Sequence, residues 1–254
     1  MRRVSVVGIG AGDPEHLTVQ AIRVLNEIDV VFMTDKGDQT SELVDARREI
    51  CTRYIDDQDG YRLVVVPDPP RDRQSPAYRE AVEDWRRDRA RLYLELINSE
   101  LGPDGHGAFL AWGDPALYDS IVPALDYALA LEPNAFDVDV IPGISSVSAL
   151  VARHGTTLSR TGRPVQVTTG RLLRAHGLPP DVDDVVVMLD SEAAFSDVDP
   201  DAYIYWGAYV GSEHELLMSG RLGEIADTIA KTKAEARAKH GWIMDSYLIR
   251  RSSP

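Results

Sequence analysis

The run Val4-Ser5-Val6-Val7-Gly8-Ile9-Gly10-Ala11-Gly12-Asp13-Pro14-Glu15 leaves the start of the chain few choices. Four apolar-rich positions read as a buried strand, three alternating glycines as a sharp turn, and Asp13-Pro14 as a helix N-cap and first helical residue. The pattern returns at Phe109-Leu110-Ala111-Trp112-Gly113-Asp114-Pro115, and a third turn follows a strand at Ile141-Pro142-Gly143-Ile144-Ser145-Ser146. Three glycine turns at three strand ends predict a single cleft built from those ends. The plainer reading is that the two Gly-Asp-Pro turns only start helices.

The turns also narrow the ligand. Dinucleotide and P-loop sites keep a helix N-terminus open for phosphate. Here Asp13 and Asp114 stand at that position, where a carboxylate repels pyrophosphate. The spacing is Gly-x-Gly-x-Gly, and no Gly-Lys-Ser/Thr follows. A nucleoside ligand with positive charge and no phosphate fits better, and S-adenosylmethionine is the common example.

Apolar periodicity predicts an alternating strand–helix order in the first half, as in a mostly parallel sheet. Strands are expected at Val4–Ile9, Val30–Met33, Arg62–Val66, Ala108–Trp112 and Phe136–Ile141. Helices are expected at Leu17–Glu27, Ser41–Cys51, Tyr78–Asn98 and Ala116–Leu131, with Pro123 kinking or splitting the last. On the long helix Arg89 shares the stripe of Val82, Trp85, Leu92 and Leu96. It either snorkels at the core's edge or reaches toward a carboxylate in a cleft. The second half reads as a helix at Ser145–Arg153 and β-rich runs at Val165–Thr169, Val185–Leu189, Ala202–Tyr209 and Glu215–Ser219. A helix at Glu224–Lys239 and a strand at Trp242–Ile249 complete it. The expected architecture is two α/β domains, residues 1–143 with a mostly parallel sheet and residues 144–254 with a mixed one, binding a ligand between them.

The net charge of −14 argues against nucleic acid and anionic membrane as partners, because both select basic faces. A polycarboxylate substrate would need a local basic lining. Two arginine groups offer one, Arg71 to Arg91 and Arg153 to Arg174, although for any single arginine a solvated helix face interleaved with Asp and Glu is the plainer reading. Cys51 is the single cysteine, so no internal disulfide forms, and it reads as a small apolar helix residue. No signal-peptide pattern and no membrane-length apolar stretch is visible, and a reducing cytoplasm is the simplest compartment. The histidines are scattered without metal-ligand spacing, and no metal is expected. No Gly-x-Ser-x-Gly elbow is present.

The turn Gly8 to Pro14, the segment Gly113-Asp114-Pro115-Ala116-Leu117-Tyr118-Asp119-Ser120 and the run Pro142-Gly143-Ile144-Ser145-Ser146 resemble the three signatures of the tetrapyrrole (corrin/porphyrin) methyltransferases. Val185 to Asp190 and Ser219 to Ile225 extend the resemblance along nearly the whole chain. It implies a bilobal α/β fold, a homodimer, and S-adenosylmethionine as methyl donor to a precorrin. The implied donor contacts are Trp112, Gly113, Asp114, Leu117 and Tyr118, then Ser145, Ser146, Met188, Ala208 and Tyr209, with Ala11 standing where relatives carry proline. Chain length, the turn Met33-Thr34-Asp35-Lys36-Gly37 and the segment Tyr205 to Tyr209 look most like the members that methylate precorrin-5 with loss of acetate. Asp35 and Lys36, after the second strand, are the candidates for moving a proton, and Asp13 is a further acid. The alternatives are methylation of another precorrin or uroporphyrinogen, the diphthamide or ribosomal RNA methylation found among relatives, and a carrier that binds without catalysis.

Overall fold

The computed structural model describes residues 1–35, 41–70 and 77–251, and these divide into two compact units. One comprises Met1–Gly10 with Pro14–Ile144; the other comprises Ala11–Asp13 with Ser145–Pro254. The division falls one residue beyond the expected boundary. It also assigns the short run Ala11–Asp13 to the C-terminal unit, which sequence reading did not foresee.

In the N-terminal unit the strands are β1 (Arg3–Gly8), β2 (Val30–Asp35), β3 (Arg62–Pro67), β4 (His106–Ala111) and β5 (Asp137–Ile141). They form one sheet in the order β3-β2-β4-β1-β5, and every pairing is parallel. Both faces are covered, which explains the near-continuous apolar composition of β1 and β4. Helices α1 (Val19–Leu25) and α2 (Ser41–Tyr54) bury Ala21, Leu25, Val44 and Ile50 against Val7, Val31 and Leu110. Cys51 belongs to that layer, where burial pushes its thiol up to about 11. Helices α3 (Tyr78–Glu100) and α4 (Ile121–Leu131) bury Tyr93, Ile97 and Leu125 against Val6, Phe32 and Phe109 on the opposite face.

Two expected helix starts are displaced. Asp13-Pro14 opens only a 3-10 turn, Pro14–His16, and α1 begins at Val19, where the Thr18 hydroxyl accepts from the Ala21 amide. Asp114-Pro115 opens no helix either. Residues 115–120 form a turn containing Tyr118 at φ 53°, and α4 starts at Ile121. Pro123 therefore lies in the first turn, where its missing N–H is not needed, so the expected kink or split has no cause there.

The C-terminal unit holds α5 (Ser146–Arg153), β6 (Val165–Thr169), α6 (Gly170–His176), β7 (Asp184–Met188), β8 (Tyr203–Ala208), β9 (Leu216–Arg221), α7 (Leu222–His240) and β10 (Asp245–Arg250). Helix α6 was not anticipated; the Thr169 hydroxyl caps it and Gly177 ends it. The sheet order is β6-β7-β10-β8-β9, with β6 parallel to β7 and every other pair antiparallel. It is a mixed sheet, as the closely spaced β-rich runs predict. Among the described residues no helix is long and apolar enough to cross a membrane.

Candidate functional site

The three glycine turns meet in the N-terminal unit. Gly10 and Gly113 exchange both backbone hydrogen bonds, at 3.2 and 2.7 Å. A methyl group on Gly143 would lie 2.2 Å from the Gly113 carbonyl oxygen, and one on Gly8 would lie 2.6 Å from the Gly143 nitrogen. Gly8 and Gly143 are thus explained by backbone packing on backbone, and the ligand approach argued from sequence is not needed to account for them. Gly10 and Gly113 also hold φ of 82° and 72°, a region side chains rarely adopt.

Asp114 ties this arrangement together. Its carboxylate accepts from the Ala116 amide at 2.7 Å and from the Gly143 amide at 3.3 Å. The amides that a phosphate would use are therefore already taken by a protein anion. Trp112, Leu117 and Tyr118 extend from the same turn, with Tyr118 exposed.

In the C-terminal unit a second group gathers at strand ends. Ala11 packs with Ala149, Leu150 and Val210, the last of which lies just past the end of β8. Ser145 caps α5, accepting from the Ser148 amide at 3.1 Å, so this helix N-terminus too is filled, and Ser146 follows as its first residue. Ser246 of β10 pairs with Met188 on one side and Gly207 on the other, which sets Met188 and Ala208 at neighbouring levels. Leu189 and Tyr209, the residues that follow these two, take left-handed φ of 54° and 51°. Strain of this kind concentrates at functional positions. Tyr209 is buried and its hydroxyl donates to the Trp242 carbonyl.

The proposed proton-handling residues are less gathered. Asp35 ends β2 half-buried, and its carbonyl accepts from the Asp68 amide at 2.7 Å. Lys36 lies outside the described residues, as do Arg71 and Arg73. Asp13 belongs to the C-terminal unit, where its charge raises the Arg153 pKa after the larger effect of Glu215.

Of the arginine groups, Arg87 and Arg91 pair with acids one turn away on α3, and Arg153, Arg163 and Arg174 pair with nearby acids. Arg89 is different. It is buried, ion-paired to Asp68 at 2.7 Å, bonded to Ser120 and Thr34, and stacked over Trp85 at 4.7 Å. The snorkelling reading fails for it, and the carboxylate it reaches was visible in sequence only as part of a turn. Arg47 was missed altogether. It donates to the carbonyls of Leu110 at 3.0 Å and Leu43 at 2.8 Å, beneath the end of β4. Its position between Val44 and Cys51 on the buried stripe of α2 was the available signal.

His214 and His240, distant in sequence, stack with ring centroids 4.2 Å apart beside Tyr209. Among the described residues no group of three or more His, Cys, Asp or Glu side chains is arranged to hold a metal ion.

Comparison with known proteins agrees with this fold. A family model described as Tetrapyrrole (Corrin/Porphyrin) Methylases matches residues 3–226. Precorrin-6A synthase [deacetylating] of Sinorhizobium sp is 48% identical over 254 residues, covering 100% of this chain and 97% of that protein. The crystal structure of a cobalamin synthesis related protein from Corynebacterium diphtheriae superposes with a TM-score of 0.83 at 37% identity, covering 100% of both chains. Uroporphyrin-III C-methyltransferase from Thermus thermophilus, complexed with S-adenyl homocysteine, shares the fold at a TM-score of 0.62 and 20% identity, over 98% of this chain and 92% of that one. The chain belongs to the tetrapyrrole methylase family.

Proposed function

We propose that this protein performs the reaction named for its Sinorhizobium relative: it methylates precorrin-5 at ring carbon 1 and releases acetate, giving precorrin-6A. The observation that carries this reading is the 48% identity, which extends over 100% of this chain and 97% of that protein. Cytoplasmic location and a homodimer accompany the reading by family analogy.

The described residues fit S-adenosylmethionine as donor on one physical ground. Asp114 and Ser145 fill the turn and helix-start amides with their own oxygens, leaving no cradle for a phosphate and none needed by a sulfonium. When bound, the donor supplies an electrophilic methyl group, and in-line transfer then asks the protein mainly for position. Trp112, Gly113, Asp114, Leu117 and Tyr118 in the N-terminal unit, and Ala11, Ser145, Ser146, Met188, Ala208 and Tyr209 in the C-terminal unit, are the proposed donor contacts. Asp35, at a parallel-strand end, is the proposed base for activating the water that removes the acetyl group, with Lys36 and Asp13 as further candidates.

The test is a balance sheet of products. Wild-type protein with precorrin-5 and donor should gain one methyl per macrocycle and release acetate in equal amount, read by mass spectrometry and an acetate assay. Methylation of precorrin-5 without acetate would assign another member's reaction, and absence of methylation on any precorrin would favour the carrier. Gly113→Val should lose S-adenosylhomocysteine binding in calorimetry, since valine does not hold φ 72° without strain. Unchanged affinity would remove Gly113 from the donor site. Asp35→Asn should slow acetate release while sparing that affinity.

A further inference from the structure

Where β2 and β4 end, the N-terminal unit holds a partly open cavity of about 80 Å³, lined by Thr34, Arg47, Arg89, Tyr93, Asp119 and Ser120. The sheet order makes this a switch point. From β2 the chain moves outward to β3, and from β4 it crosses to the opposite edge at β5, so the two connections diverge above the crevice. Open parallel sheets place ligands in such crevices.

The chemistry of the wall is specific. Arg89 is held by neighbours on each nitrogen: Nη1 and Nη2 donate to Ser120 and Thr34, and Nε faces Asp68 at 2.7 Å as an ion pair without hydrogen-bond geometry. Arg47 is not. Its Nε and Nη1 hold the Leu110 and Leu43 carbonyls, while Nη2 has no acceptor among the described residues. Burial works against its charge more than Asp119 supports it. Asp119 in turn accepts from the Ile121 amide at 2.6 Å, and Asp68 answers Arg89. Burial pushes the Tyr93 phenol up to about 12, so it remains a hydroxyl. The wall therefore presents one guanidinium edge, the Ser120 hydroxyl, the hydrogen-bonded hydroxyl pair of Thr34 and Tyr93, and the Asp119 carboxylate already tied to the Ile121 amide, with the apolar rings of Phe32 and Phe109 beside them. A single water requires only about 10–15 Å³ of such space. The space has room for several heavy atoms.

We propose that this crevice binds a two-carbon carboxylate, the acetate released by the reaction proposed above. The carboxylate oxygens meet Arg47 and the hydroxyls, and the methyl group meets the aromatic rings. The inference rests on the deacetylating reading for the origin of its ligand, and its test is independent of turnover.

The full-length protein alone is titrated with sodium acetate, formate and butyrate, and binding is followed by ligand NMR line broadening. Acetate and formate should bind saturably, with butyrate roughly tenfold weaker or absent because the space ends. Arg47→Met should weaken acetate by about tenfold or more, as loss of a charge-assisted hydrogen bond predicts, and Arg47→Lys should recover part of it. Ser120→Val, which fills the space and leaves Arg47 in place, should abolish binding, and this variant decides the matter if Arg47→Met does not fold. Equal binding of acetate and butyrate, or wild-type affinity in folded Arg47→Met or Ser120→Val, would overturn the proposal. Methylation of precorrin-5 without acetate release, with size-selective acetate binding intact, would instead remove the functional reading and leave the site.

Discussion

Lys233→Met should lower stability by about 3–5 kcal/mol at neutral pH, the usual consequence of leaving a buried charge without its partner. Lys233 lies on the inward stripe of α7 with Ile229 and Ala236, only 5% exposed. Its Nζ donates to Asp245 Oδ2 at 2.7 Å and to the Asp190 carbonyl, while Trp206 Nε1 donates to the same Asp245 oxygen at 2.9 Å. Burial already raises the Asp245 pKa, and Lys233 is the main force holding it down; the nearby Asp190 adds to the rise. Removing the lysine lifts it further. A carboxyl with a folded pKa above its unfolded value holds more protons in the folded state, so its contribution falls as pH climbs through that window. The deficit of the variant should therefore be largest at neutral pH and shrink on acidification toward the ordinary carboxylate range, about pH 4 to 5. Urea unfolding at both pH values checks this. An equal deficit at the two would show that Asp245 is not the group left exposed to the loss, and adding Asp245→Asn should restore most of the stability.

Gly143→Ala is the second large effect. The added carbon would stand 2.2 Å from the Gly113 carbonyl oxygen and 2.8 Å from the Gly8 carbonyl carbon, and both neighbours are backbone. No side chain can turn aside, so the turns must part. The expected loss is about 3 kcal/mol, at the upper end for overpacking, and Asp114 should lose its hold on the residue 143 amide. The matched control is Gly102→Ala, since nothing lies within 4 Å of a carbon added at Gly102. Thermal melts that place Gly143→Ala level with Gly102→Ala would contradict the packing account.

The sequence carried the sheet classes and most strand positions because burial on both faces writes long apolar runs, and these are local signals. It carried the meeting of the glycine turns through their shared spacing pattern. It misplaced the starts of α1 and α4 because Asp-Pro favours a helix N-terminus locally, while the observed caps are Thr18 and, in place of a helix, the turn bound by Asp114. The buried polar groups were harder. Arg47 and Lys233 each sit on an apolar helical stripe, so the anomaly was readable, but apart from Leu43 their partners Leu110, Asp190 and Asp245 come from other elements. Asp68, Asp190 and Asp245 looked like turn or strand-edge residues because nothing local distinguishes an acid that will be buried with a cation from one that will be solvated.

The run Ala11–Asp13 packs with the C-terminal unit, although it is made within the first turn of the chain. On the ribosome this tripeptide emerges long before Val210 and Leu150, the residues it covers. The C-terminal unit therefore cannot finish its own wall from its own contiguous sequence. A fragment beginning at Ser145 would carry Leu150 and Val210 without their lid, and adding a peptide that spans Ala11–Asp13 would be the natural complement to it. The tripeptide Ala11–Asp13 thus closes a unit whose other residues all lie at Ser145 and beyond.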